Sequence, residues 1–379
     1  MNILFITRLY PSDQYDNQQT GMGHYLCREW LKAGHDVRVV HEDMRYHKRW
    51  SALERELPDT RQFTLEGVPV SFIKINRPLP GYRYLPNREA RKAVRYILSQ
   101  TKEQGFEPDV IFAFFCYDQW KVMDLLRPHF DCPIIPIFHN CDVKFSQKKV
   151  GKILDESPCA GGVSRRILGK MAQARPEAKT FMCYGGAPND VGAYYQGEKH
   201  NGVFTIVYAG MLIPLKKVDI TLRALATLKD TRDFRFEIYG DGEEEENLRS
   251  LTAELGLEDR VSFMGRVKRD AVIAAMGRAD CFAMASSPET FGLTYLEAMA
   301  CGCYTIGSRG EGIDGVLVDG ENGVLVTPGS VEEMAAALDR YFTDREAVTA
   351  MQRRAVETAN GLTEEKVAQM LLDDVRDSL

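Results

Sequence analysis

The sequence predicts an α/β chain of two doubly wound, Rossmann-like domains, and three observations predict it. Short β-branched or aromatic runs alternate with amphipathic stretches of helix length through both halves. That rhythm calls for parallel strands covered on both faces and joined by right-handed crossovers. The length, 379 residues, suits two domains of ordinary size. Charge is divided as well: the first 200 residues carry about +6 and the rest about −12, which points to two bodies with different surroundings.

The elements follow in order. Strands are expected at 3–6, 37–41, 68–73, 110–114, 134–138 and 159–163, with helices at 24–33, 88–104, 119–126 and 165–174. The polar, Gly- and Asn-rich stretch 189–202 reads as a linker. The rhythm then resumes, with strands at 204–208, 236–239, 261–263, 281–283 and 304–306. Helices at 218–229, 243–255, 269–276 and 292–300 fall between them. A last helix, 363–379, places Val367, Met370, Leu371 and Val375 on one face. The expected division is a first domain over 1–190, a linker over 191–202 and a second domain over 203–362, with the last helix packed back on the first domain. In such folds ligands lie at the C-terminal ends of the strands, here expected in the cleft between the domains.

Composition narrows the function. A chain 44% hydrophobic and 27% charged is neither disordered nor coiled coil. No window approaches the roughly 18 apolar residues of a membrane helix. Residues 1–7 run straight into an apolar strand with no basic leader or cleavage site, so no signal peptide is expected. A net charge of −6 argues against general nucleic-acid binding. Nine scattered cysteines, an odd number with no CxxC spacing, read as reduced thiols in the cytoplasm rather than a disulfide framework. No metal site and no cofactor are expected from them.

The segment Ser286-Ser287-Pro288-Glu289-Thr290-Phe291-Gly292-Leu293-Thr294-Tyr295-Leu296-Glu297 carries the chemistry. A strand ends, a Pro-containing turn follows, and a helix starts near Phe291 and Gly292. Free N–H groups at such a start form an anion site. Gly292 admits a phosphate close to the backbone and Thr294 adds a hydroxyl. Glu297 lies among Leu, Tyr, Ala and Met, so it is expected buried and in need of donors. A carboxylate repels phosphate, so Glu289 and Glu297 should face hydroxyls on either side of it, the layout of a nucleotide-sugar. The alternative is a helix-start carboxylate at Glu289 and a buried Glu297–Arg pair.

This E-x7-E pattern, inside a Pro-Glu-x-Phe-Gly-Leu frame that runs on to Glu-Ala-Met-Ala-x-Gly, resembles the family-4 retaining glycosyltransferases of GT-B fold. The likeness extends along nearly the whole chain and is stronger in the second half. There, 208–219 is similar to the family's first C-domain strand and loop, in which Gly210 is a donor-binding position and Lys216 matches a lysine on the donor diphosphate. Met211 stands where the family often has Arg, so one phosphate contact is lost or supplied elsewhere. Gly265, Arg266 and Val267 match the segment whose backbone holds the nucleotide base. Gly21 and Gly23, before a helix, could bring backbone N–H groups near the donor's phosphate or sugar, with an ordinary glycine turn as the alternative. They lack the full dinucleotide fingerprint, which argues against NAD. His139, at a strand end, matches a histidine beside the donor sugar and acceptor.

The resemblance implies transfer of a hexosyl group from a nucleotide-diphospho-sugar to a hydroxyl acceptor with retention, in bacterial polysaccharide or glycolipid synthesis. A UDP-sugar is favoured and a GDP-sugar remains open. Lys216 and the N–H groups of Phe291, Gly292, Leu293 and Thr294 would stabilise the departing diphosphate. Glu297 would hold the ribose, Glu289 the donor sugar, and His139 would position acceptor or donor. The acceptor would attack from the leaving-group side and pass its proton to a phosphate oxygen. No Asp-x-Asp motif appears, so metal independence is expected. Arg88, Arg91, Lys92 and Arg95 form one basic helix face, and with the aromatics of 79–85 it could rest peripherally on the inner face of an anionic membrane, near a lipid-linked acceptor. A solvated basic face is the alternative. A nucleotide-sugar epimerase or a non-catalytic nucleotide-sugar-binding protein are the other readings of the whole chain.

Overall fold

The computed structural model describes residues 1–13, 21–46, 55–77, 85–143, 146–195, 197 and 202–379. The chain divides into two compact units. Unit 1 comprises Met1–Val163, Ile167–Cys183 and Val367–Leu379; unit 2 comprises Ser164–Arg166 and Tyr184–Lys366. Part of the expected linker lies outside the described residues.

Unit 1 begins with β1 (Asn2–Thr7), whose near-continuous apolar run is buried on both faces. Helix α1 (Met22–Lys32) and β2 (Asp36–Tyr46) follow. The next two strands, β3 (Thr60–Leu65) and β4 (Val68–Arg77), form an antiparallel hairpin. Its turn, Glu66-Gly67, holds φ of 46° and 86°, the left-handed pair that a two-residue hairpin turn needs. The alternating, half-exposed β3 is an edge strand that the sequence reading left out, because its apolar positions are few. Then come α2 (Asn87–Glu103), β5 (Val110–Phe114), α3 (Cys116–Leu126), β6 (Ile134–Phe138), α4 (Gln147–Asp155), β7 (Ala160–Gly162), α5 (Arg165–Ala174) and β8 (Thr180–Met182).

The sheet order is β3-β4-β2-β1-β5-β6-β7-β8, parallel apart from β3. Between β1 and β5 the order reverses direction, so the loops after these two strands part and leave a crevice at their C-terminal ends. Trp30 of α1 stacks on Phe112 of β5 with centroids 5.1 Å apart. Each such buried side chain contributes roughly 1.5–3 kcal/mol of apolar burial. The indole N–H donates to the Ala368 carbonyl at 2.8 Å, fixing the last helix in unit 1.

Unit 2 runs β9 (Phe204–Ala209), α6 (Val218–Leu228), β10 (Phe234–Tyr239), α7 (Glu245–Glu254), β11 (Val261–Gly265), α8 (Arg269–Arg278), β12 (Cys281–Ala283), α9 (Leu293–Ala300), β13 (Tyr304–Ser308) and β14 (Val324–Val326). Helices α10 (Val331–Thr343), α11 (Arg345–Gly361) and α12 (Glu364–Ser378) close the chain. Ser330 caps α10 by accepting from the Glu333 N–H at 3.2 Å, and Asp344 caps α11 from the Ala347 N–H at 3.2 Å. The sheet is wholly parallel, in the order β11-β10-β9-β12-β13-β14. Its switch point lies between β9 and β12, so the loops leaving Ala209 and Ala283 line the second crevice.

Candidate functional site

The two loops at the switch point of the second sheet carry Lys216 and Glu289. After β9, Gly210 leads into a single turn of 3-10 helix, Pro214–Lys216, which presents the lysine. After β12, the loop from Met284 to Gly292 presents the glutamate. The Ser287 N–H donates to the Leu215 carbonyl at 2.8 Å, stitching one loop to the other. Lys216 Nζ meets Glu289 Oε2 at 2.6 Å, with 19% and 12% of the two side chains exposed. Expected on different parts of one ligand, they are an ion pair with each other. The second Glu289 oxygen accepts from the Thr290 N–H at 3.1 Å.

Glu311 holds the glutamate loop from beneath. This buried carboxylate accepts from Ser287 Oγ at 2.8 Å and from the Glu289 N–H at 2.9 Å. Arg166 donates to it at 2.6 Å. The sequence reading missed Glu311, because an acidic residue between Gly310 and Gly312 looks like a solvated turn. The neighbouring glycine explains the close fit: a Cβ on Gly312 would stand 2.5 Å from the main chain of Thr290 and Phe291.

Helix α9 starts one residue later than expected, at Leu293, with Gly292 as its N-cap at φ 86°. A side chain there would be strained and would strike the Tyr295 ring. The first-turn amides of Leu293 and Thr294 have no intrahelical acceptor, which leaves them for an anion. Phe291 is buried beside them. Four residues further, Glu297 is buried and accepts from Arg269 Nε and Nη2 at 2.7 and 2.6 Å. Arg269 also reaches Glu364 at 3.3 Å. Glu297 therefore has the arginine partner of the alternative reading. Burial pushes its carboxyl up, against the pull of the guanidinium.

The remaining residues expected on the donor side sit on strand ends laced together through the backbone. The Gly210 N–H donates to the Tyr239 carbonyl at 3.0 Å, and the Gly240 N–H to the Gly265 carbonyl at 2.9 Å. A Cβ on Gly240 would collide with the Gly210 carbonyl. Met211 is 48% exposed, while its carbonyl accepts from the Tyr208 hydroxyl at 2.8 Å. Met264 and Val267 are exposed apolar residues at the end of β11, on either side of Gly265 and Arg266.

In unit 1, His139 lies just past β6 and is buried. Its ring stacks on Phe115 with centroids 3.7 Å apart and meets Phe114 edge-on at 4.5 Å. Nδ1 lies 3.2 Å from the Ile137 carbonyl, to which it donates, and 3.6 Å from the Asp142 carboxylate. Nε2 is buried with no partner among the described residues. The Asp142 carboxylate accepts from the His139 N–H at 2.6 Å and the Tyr117 N–H at 3.0 Å, fixing the turn. Phe115 holds φ 65°, rare for an aromatic residue, and this places its ring on the histidine. Gly21 is the N-cap of α1, with open space where a Cβ would be, whereas at Gly23 a Cβ would press on the Phe5 ring at 3.1 Å.

On α2, Arg88, Arg91 and Arg95 are exposed, while Lys92 turns inward to Asp59 and to the Lys74 carbonyl, both at 3.1 Å. Of the segment 79–85, only Leu85 is described, and it is buried. No helix among the described residues is long and apolar enough to cross a membrane. All nine cysteines are free, seven of them buried. No group of three or more metal-ligating side chains occurs among the described residues.

Residues 195–358 match the sequence profile of the glycosyl transferases group 1 family. A 124-residue stretch is 36% identical to the lipopolysaccharide core biosynthesis glycosyltransferase LpsE of Rhizobium meliloti, over 33% of this chain and 36% of that one. A 144-residue stretch is 35% identical to the N-acetyl-alpha-D-glucosaminyl L-malate synthase of Bacillus anthracis, over 38% and 37%. The match thus spans little more than a third of either relative. The whole chain superposes on the whole of Anabaena HepE in complex with UDP-glucose, with a TM-score of 0.72 at 18% identity. The fold is that of the GT-B glycosyltransferases.

Proposed function

We propose that the chain is a retaining glycosyltransferase that moves a sugar from a nucleotide-diphospho-sugar to a hydroxyl acceptor in bacterial glycan synthesis. One observation carries this reading: a lysine, a glutamate and the open amides of α9 stand together at the switch point of a parallel sheet. The profile match over that same unit supports it.

In this mechanism the diphosphate lies at the start of α9, on the amides of Leu293 and Thr294, with Gly292 letting it approach the backbone. Lys216 leaves Glu289 for the phosphate as negative charge grows on the leaving group. Glu289 then accepts from donor-sugar hydroxyls. Glu297 takes the ribose hydroxyls with whatever acceptor capacity Arg269 leaves. The base lies along Gly265, Arg266 and Val267, where exposed Met264 and Val267 offer it apolar cover. Met211 adds no charge, so Lys216 and the amides carry the diphosphate without a second cation from that loop. The acceptor attacks from the leaving-group side and its proton passes to a phosphate oxygen, without a metal. A UDP-sugar donor is favoured, since HepE was solved with UDP-glucose. The acceptor goes to unit 1, where His139 Nε2 has a hydrogen-bonding position to offer it.

A thermal-shift panel of UDP, GDP and ADP tests the donor. A nucleotide that binds only the folded chain adds about 2.7 kcal/mol at 100 times its dissociation constant. A shift with one base identifies the donor class; no shift with any of them removes the transferase reading. Peripheral contact through Arg88, Arg91 and Arg95 belongs to the same proposal. Failure to float with anionic vesicles at low salt removes that part alone.

A further inference from the structure

Unit 1 has its own switch point, and hydrogen-bonding capacity is left unmet there. Arg8 follows β1, Arg77 ends β4, and Asp118 and Gln119 lie in the first turn of α3, after β5. The β1–β2 register pairs Thr7 with His41, which sets Arg8 level with Glu42. Three buried side-chain atoms along this edge, Arg8 Nε, Asp118 Oδ1 and His139 Nε2, lack partners among the described residues, and the buried Glu42 carboxyl and Gln119 amide face only each other. Buried polar groups are rarely left so, and a run of them at a switch point marks a place where something polar binds.

The charge of that something follows from the ion pairs. Arg8 Nη1 and Arg77 Nη2 both meet the single oxygen Asp118 Oδ2, at 2.6 and 2.9 Å. Two guanidiniums thus share one carboxylate. Lys149 adds a third cation, its Nζ 3.8 Å from the Tyr117 ring centroid. Two other carboxylates lie nearby: Asp142 accepts from main-chain N–H groups and offsets one of these cations, and Asp124, beside Lys149, is already paired with Lys152. Glu42 does not offset the excess at neutral pH, because burial pushes its carboxyl up to about 8. The arginines remain reachable, with 21% and 15% of their side chains exposed.

We propose that this edge of unit 1 binds an oxyanion of the acceptor, a carboxylate or a phosphate monoester, between Arg8 and Arg77. Asp118 holds the two guanidinium forks in place, and Gln119 and Glu42 offer hydrogen bonds to the polar groups beside the anion. The assignment rests on the reading that unit 1 takes the acceptor. It narrows the acceptor to a class: a hydroxyl compound that also carries a negative group. Arginine suits such a group because its fork meets both oxygens at once.

Calorimetry on the full chain tests it, with inorganic phosphate, malonate and neutral glucose as probes, each with and without saturating UDP. Phosphate or malonate should bind and glucose should not; which anion binds separates the two sources. Arg77→Gln should weaken binding at least tenfold, and Arg77→Lys should restore part of it, with UDP affinity unchanged in both. Absence of binding by both anions, or affinity indifferent to Arg77→Gln, overturns the proposal. Should that variant fail to fold, Arg77→Lys carries the test: loss of the fork should weaken binding several-fold, and equal affinity overturns the site. Failure of UDP alone to bind sinks the donor reading and leaves this site standing.

Discussion

Lys216 and Glu289 neutralise each other at 2.6 Å across the two loops of the second switch point. The pair holds the lysine where a diphosphate would need it, while occupying it until a stronger anion arrives. At this mostly buried site the mutual attraction is several times what it would be in water. In the proposed mechanism a ligand with two negative charges would displace the single carboxylate and free it to accept from sugar hydroxyls.

Glu289→Gln should therefore separate binding from turnover. Removing the carboxylate frees Lys216, so UDP is expected to bind several-fold tighter. Turnover should fall about 10²-fold, as it does when a positioned polar group is lost from a transition state. Titration and steady-state kinetics on one preparation check both. Weaker UDP binding together with full activity would remove the assigned role.

Glu311 is expected to act through Glu289 rather than on substrate. Glu311→Ala leaves the Ser287 hydroxyl and the Glu289 N–H without their acceptor. It should lower kcat at least tenfold with little change in UDP affinity, and Glu311→Gln, which keeps an acceptor oxygen, should recover much of the loss. A purely structural role would lower Tm without that split. Gly312→Ala should destabilise by about 1–3 kcal/mol, since the added methyl meets main chain that cannot swing aside.

What could be read beforehand follows the physics of each residue. Helix and strand periodicity marks the central strands because both their faces are buried. It leaves out β3, whose outward face is exposed, and the short β8 and β14. Lys216, Gly292 and Glu289 were legible because local sequence places them on one loop and one helix start. Their pairing was not, since 73 positions separate the two charged residues. Arg269 and Glu311 were hidden for the same reason: each acts on a residue far along the chain. The buried Glu297–arginine pair was anticipated as an alternative from its apolar neighbours, without its partner being named.

Arg269 bridges Glu297 and Glu364, so its loss should be felt as repulsion. In Arg269→Met two buried carboxylates lose the guanidinium they share. Breaking a fully buried pair costs about 3–5 kcal/mol. Here about 2 kcal/mol is expected, because 47% of the arginine side chain is exposed to solvent. The deficit should shrink as pH falls, because burial pushes the Glu297 carboxyl up and its protonation removes one of the two charges. Denaturant melts of both proteins at pH 7 and pH 4 check this; an equal deficit at both would mean that lost packing, not charge, sets it.

Adjacent residues of β2 should shape the stability of unit 1 against pH in opposite senses. Burial pushes the Glu42 carboxyl up to about 8, so between its ordinary value of about 4.5 and pH 8 the folded chain holds a proton that the unfolded chain releases. Stability is then lost as pH rises through that window, at up to about 1.4 kcal/mol per pH unit. Burial pushes the His41 imidazole down to about 4, so the unfolded chain takes the extra proton below about 6.5. That stability is lost as pH falls from 6.5 toward 4. Between pH 4.5 and 6.5 the two slopes offset each other, and the decline from Glu42 should emerge alone above pH 6.5. Glu42→Gln removes the titrating group and keeps the shape, so its stability should stay level from pH 6.5 to 8 while the natural chain's falls. Parallel curves for the two proteins over that range would mean that Glu42 is ionised in the folded chain and that the charge count around Arg8 and Arg77 must include it.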